Sequence, residues 1–144
     1  MKHLSPVACA LLLTITSAFA GGPEKITDIN AALTKAKTEN KLLFLEFGRV
    51  NCENCQALRA MLGKQQVKLP ASQFLYADVN CDDPATKGVF RKKFKVIGNT
   101  LPFVVVASPD GHQLAAHSGA GTAAQFNELI EQARQKAGVT APKS

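Results

Sequence analysis

Residues 42–62, LLFLEFGRVNCENCQALRAML, constrain this chain more than any other stretch. The nearly unbroken apolar run from Leu42 to Phe47 is the length of a strand buried on both faces, and Gly48 ends it. After a short turn come Cys52 and Cys55, at the head of a segment whose Cys55, Leu58 and Leu62 share one helical face and for which Gly63 is a stop or a kink. Cys52 is thereby predicted near a helix N-terminus. Unsatisfied N–H groups and the helix dipole at that end favour a thiolate, the species that attacks a disulfide. The spacing points to a dithiol/disulfide exchange site.

The flanking sequence reads as alternating helices and strands. Ile26, Ile29, Leu33 and Ala36 recur at helical spacing, predicting a helix over about 28–39 with Thr27 or Asp28 as cap and Asn40 at its end. Gln73 to Asn80 reads as a second strand. Asp83-Pro84 opens a helix running to about Phe94, with Val89, Phe90 and Phe94 inward and Arg91 to Lys95 either a solvated face or a dock for an acidic partner. Phe103 to Ala107 is a third strand, turned by Pro109-Asp110-Gly111 into a fourth over His112 to His117. Gly119-Ala120-Gly121 then leads to a last amphipathic helix capped by Thr122 and carrying Phe126, Leu129, Ile130, Ala133 and Ala137. Strand-helix-strand order implies parallel neighbours, and the hairpin adds an antiparallel edge. The expected fold class is α/β, a central mixed β-sheet flanked by helices on both faces.

The first residues do not belong to that unit. Met1-Lys2-His3 is a short positive region, Val7 to Ile15 is apolar, and Ala18-Phe19-Ala20 is a small-residue cleavage site, so 1–20 reads as a cleaved signal peptide. That leaves a domain over 21–138 and a frayed tail over 139–144 in a periplasmic or secreted protein without stable membrane insertion. Cleavage removes Cys9 and keeps Cys52, Cys55 and Cys81. A bridge across two intervening residues closes almost no loop, so in an oxidising compartment it serves better as a redox pair than as a staple. Half a zinc site or a small structural bridge is the competing reading, and no second C-x-x-C or C-x-x-H completes a zinc set. Cys81 reads as a small buried hydrophobe or as a third redox thiol. His112 and His117, five apart on a strand, point to opposite faces and make a poor metal pair. With a net charge of +6, eight Phe, one Tyr and no Trp, nothing marks a nucleic-acid surface.

A C-x-x-C after a buried strand and opening a helix, followed by a strand-helix unit and a Pro-led hairpin and helix, resembles the thioredoxin fold. The resemblance covers nearly all of the chain after the leader, and is strongest to exported thioredoxin-like proteins that begin with a helix rather than a full first strand. It implies that Cys52 is the solvent-facing nucleophile, Cys55 the resolving thiol, Glu46 the buried acid beneath them and Pro102 a cis-proline facing the cysteines. Leu101 and Asn51 would then line the place where a substrate chain lies. Read without the resemblance, Glu46 is a solvated or salt-bridged carboxylate and Pro102 starts a strand in trans. The chain departs from the family at Asn51, where Trp is usual, at Glu53-Asn54, where Gly-Pro is usual, and at Asp78, where a lysine commonly neighbours the buried acid.

The resemblance implies an exported, monomeric thiol-disulfide oxidoreductase that exchanges disulfides with protein substrates and with a protein electron donor or acceptor, without a bound cofactor. Glu53 opposes the thiolate, no His lies between the cysteines, and Leu101 before the proline is apolar as in reducing thioredoxins; together these lean towards a reductant. The rival readings are a module handling a soft metal such as copper through the same dithiol, for which only Met61 could add a thioether, and a thioredoxin-fold binding module without chemistry.

Overall fold

The computed structural model describes residues 22–142; the leader, Cys9, Lys143 and Ser144 lie outside them. The chain runs β1 (Lys25–Ile26), α1 (Ile29–Glu39), β2 (Leu42–Gly48), α2 (Glu53–Gly63), β3 (Phe74–Asn80), α3 (Pro84–Lys93), β4 (Phe103–Ala107), β5 (Gln113–Ser118) and α4 (Ala123–Ala137). The strands form one mixed sheet in the order β1-β3-β2-β4-β5. β1 and β2 are parallel to β3, whereas β4 is antiparallel to both β2 and β5.

β2 is central, and its side chains alternate between two cores as the strand period requires. Leu42 and Phe44 pack with Leu58 of α2 and Phe126, Ile130 and Ala133 of α4. Leu43 and Leu45 pack on the opposite face with Ile29 and Ala36 of α1 and Phe90 of α3. There Phe90 stacks on Phe47 at a centroid distance of 4.1 Å and meets Phe103 edge-on at 5.7 Å. The same alternation puts Glu46 on the face that α2 covers.

Helix starts follow the caps read from the sequence. Asp28, Asp83 and Thr122 each accept a backbone N–H from the first turn, and Thr122 with Gln125 completes a capping box. α2 stops at Gly63 as the sequence indicated, and the chain then passes through the left-handed region at Gln65, φ 55°. Two expectations need correction. The described chain opens with the two-residue strand β1 rather than with a helix, so Ile26 belongs to a strand paired with Ala77. His112 precedes β5 instead of lying in it. At the other end Val139 packs on the core, and the Thr140 carbonyl accepts from Gln73 Nε2 at 2.8 Å.

Candidate active site

α2 begins at Cys52, whose backbone is extended (φ −103°, ψ 115°) and whose Sγ accepts the Cys55 N–H at 3.2 Å. Gln56 N–H donates to the Cys52 carbonyl at 2.9 Å and closes the first turn. The sulfur of Cys52 therefore sits where an N-cap oxygen would, among donors that stabilise negative charge. Glu53 in the same turn suits the helix dipole but adds a negative charge beside Cys52. Cys52 and Cys55 are joined as a disulfide with their Cα atoms 5.1 Å apart. Cys52 is half-buried and Cys55 fully buried, so an approaching sulfur reaches Cys52 first.

Beneath the disulfide lies Glu46, 0% exposed. Its two oxygens are treated differently. Oε2 accepts a hydrogen bond from the Tyr76 hydroxyl at 2.8 Å. No donor among the described residues is aligned on Oε1, although Arg59 Nη2 lies 3.2 Å away. Burial pushes the Glu46 carboxyl up from the ordinary 4.5 to about 7; Asp78 reinforces the rise, while the Tyr76 hydrogen bond and the charges of Arg59 and Lys25 oppose it. Burial, then Glu46, push the Tyr76 hydroxyl far above its usual range, so it remains a donor. Gly48 makes this layer possible: a Cβ there would stand 2.8 Å from Cys55 Sγ and 3.4 Å from Glu46 Oε1. Cys55 Sγ and Glu46 Oε1 thus both border the space over the Gly48 backbone.

Arg59 supplies the positive charge that Asp78, in place of a lysine, does not. It pairs with Asp78 through Nε at 3.0 Å and Nη2 at 3.2 Å, and Nη2 also donates to the Arg49 carbonyl at 3.2 Å. Burial draws its proton affinity down, but Glu46 and Asp78 outweigh that and hold it above the usual value. Asp78 in turn lies 3.7 Å from Lys25 Nζ.

The Leu101–Pro102 peptide is cis. Pro102 is buried and Leu101 half-buried, and the Leu101 carbonyl accepts from Asn54 Nδ2 at 3.2 Å. This bond joins the helix that holds the cysteines to the proline loop. Asn51 is exposed in the turn ahead of Cys52. Cys81 is a buried free thiol whose N–H donates to the Gly48 carbonyl at 2.8 Å; Arg49 Nη2 stands 3.6 Å from its sulfur and pairs with Asp82 at 3.0 Å. Among the described residues no group of three or more His, Cys, Asp or Glu is gathered as a metal site, and no helix is long and apolar enough to cross a membrane. A cavity of about 1160 Å³ is lined by Arg59, Leu62, Val67, Leu69 and Tyr76, and neither cysteine faces it.

Sequence reasoning missed Arg59, Tyr76, Gly48 and Asn54. Arg59 had a signal: four residues after Cys55, it shares the face of α2 turned to the strand. Tyr76 could have been found as the residue two before Asp78 on the same strand face. No local pattern announces Asn54.

No protein-family model matches the chain, and no curated protein matches it in sequence. Solved structures do match. A mutant thioredoxin from Halobacterium salinarum NRC-1 is 19% identical, with 76% of this chain and 88% of that one covered at a TM-score of 0.55. Thioredoxin O2 from Arabidopsis thaliana in the oxidised state is 17% identical over 75% of this chain and 90% of its own, TM-score 0.56. A structure of the ferredoxin:thioredoxin reductase and thioredoxin f2 complex gives 14% identity, 79% and 96% coverage and a TM-score of 0.60. At these identities the likeness is one of fold.

Proposed function

We infer, from a chain that has the thioredoxin fold and bears a Cys-x-x-Cys disulfide at the head of a helix, that this protein is a thiol-disulfide oxidoreductase. The observation that carries the reading is the layering of the site: a half-buried Cys52 at the N-cap of α2, a buried Cys55 behind it, and a donor-free carboxylate oxygen of Glu46 sharing the space at Gly48.

In the reducing direction the Cys52 thiolate attacks one sulfur of a partner disulfide. A Cys52–partner bond forms as the partner S–S bond breaks and its other sulfur leaves as a thiolate. Cys55 then gives its proton to Glu46 Oε1, and its thiolate attacks Cys52 Sγ. The Cys52–Cys55 bond forms, the mixed disulfide breaks, and the second partner sulfur leaves with the electron pair. Two partner sulfurs are reduced and two protein sulfurs oxidised. The leaving thiolates take up protons from Glu46 and from solvent. A carboxyl poised near 7 can take and return a proton at neutral pH.

Pro102 in cis and Leu101 beside it support a place for an extended substrate segment next to Cys52, with Asn51 on its exposed rim. The partial exposure of Cys52, with neither cysteine lining the cavity of about 1160 Å³, favours a protein or peptide substrate over a small enclosed one. Glu53 in the first turn and apolar Leu101 favour reduction or electron carriage over strong oxidation. Electrons come from a protein partner, as the reductase complex of the thioredoxin f2 neighbour suggests, and the leader-like first twenty residues favour action outside the cytoplasm. Mixing the reduced protein with a generic protein disulfide tests the activity. Wild type should reduce it, Cys52→Ala should not, and Cys55→Ala should accumulate a mixed disulfide on Cys52. Inertness of wild type in both redox directions would overturn the reading.

A further inference from the structure

Glu46 is approached by charged and titratable groups from three elements: Cys55 and Arg59 from α2, Tyr76 and Asp78 from β3, and Lys25 from β1 by way of Asp78. Its neighbour on β4, Val104, is apolar. Among these groups the placement of Arg59 is unusual. Its aligned hydrogen bonds go to Asp78 Oδ1 and to the Arg49 carbonyl, each at 3.2 Å. Its contact with Glu46 Oε1 is equally short, yet no N–H is directed along it. The guanidinium therefore lends its field to the carboxylate without capping Oε1, the oxygen that borders the Gly48 space together with Cys55 Sγ.

We propose that Arg59 is a positioning residue, clamped by Asp78 and the Arg49 carbonyl so that its charge favours ionised Glu46 while Oε1 stays open to exchange a proton with Cys55. This inference rests on the reading of Glu46 as the proton carrier for Cys55. The clamp has two sides. Asp78 is the register neighbour of Glu46 on the adjacent parallel strand, so it both orients Arg59 and repels the Glu46 charge. Were Arg59 to turn fully onto Glu46, a bidentate fork would tie up both the charge and the acceptor oxygen. Asp78 holds it back from that arrangement. A hollow of about 360 Å³ lined by Lys25, Gly48, Arg49, Arg59 and Asp78 opens the clamp to solvent, a route by which a proton can leave.

The test follows the Glu46 carboxyl by carbon-13 NMR titration of the oxidised full chain, its signal assigned with Glu46→Gln, beside the pH profile of disulfide exchange. In Arg59→Met the carboxyl midpoint should rise by about one pH unit or more, since an adjacent opposite charge is lost. Arg59→Lys should reverse most of that rise, and Asp78→Asn should move the midpoint down. The exchange profile should follow each shift, which a merely structural role for Arg59 would not produce. Unmoved midpoints in both Arg59→Met and Asp78→Asn would overturn the inference. Should Arg59→Met fail to fold, Asp78→Asn and Arg59→Lys decide it. An exchange profile unchanged in Glu46→Gln would instead defeat the role of Glu46 itself, and the clamp with it.

Discussion

Glu46 meets two opposed demands, because it is fully buried and yet, in the proposed mechanism, must carry charge before it takes a proton from Cys55 and again once it gives that proton up. Its cost to the fold is therefore tied to pH. In the disulfide form the folded carboxyl has been raised to about 7, while in the unfolded chain it returns to the ordinary 4.5. Between those values the native state binds more protons than the unfolded one, so stability falls as pH rises through that window. The loss is on the order of 3 kcal/mol by pH 8, present in full above the folded value and absent below the unfolded one. Glu46→Gln should flatten the dependence, so that wild type loses more stability than the variant between about pH 4.5 and 8 in urea unfolding of the oxidised proteins. Equal pH slopes in the two proteins would contradict this account of the carboxyl. The burial of Glu46 was legible from its position on the strand ahead of the cysteines, by resemblance. Arg59 and Asn54 were not, because their roles depend on the distance between helix and strand and on rotamer, which no spacing along the chain encodes.

At the scale of elements, the approach of α2 to β2 is set by a missing side chain. Gly48 ends β2 in ordinary backbone, and what matters there is space: a methyl group would lie 2.8 Å from Cys55 Sγ. Gly48→Ala must push α2 away from the sheet or displace the sulfur. A cost of about 1–3 kcal/mol is expected for that overpacking, read as a lowered denaturation midpoint together with slowed disulfide exchange. A variant as stable and as active as wild type would show that the two elements are not held this closely. Strong patterns made most elements legible: the apolar run of β2, the Asp28, Asp83 and Thr122 caps, and the Pro109-Asp110-Gly111 turn between β4 and β5. β1 was invisible because two residues carry no period. The end of α2 at Gly63 was legible, although the positive φ beyond it falls on Gln65 and not on a glycine.

Across the described molecule, every helix starts at one end of the sheet and runs back to the other, since each follows a strand of the same direction. The helix N-termini, with Cys52 among them, share one pole. The last turns at the opposite pole carry Lys37, Arg91, Lys92, Lys93, Arg134 and Lys136, where cations complement the helix dipoles. These six cations thus lie away from the dithiol, which is why composition says little about the site. We propose that electrons pass through Cys52 and Cys55 while Cys81, a buried free thiol, stays reduced. Mass spectrometry after mixing fully reduced protein with a peptide disulfide tests it most directly. The account predicts one Cys52–Cys55 bond formed per peptide disulfide reduced, with Cys81 recovered as a free thiol. Peptide reduction without that bond, or with Cys81 oxidised in step, would contradict it.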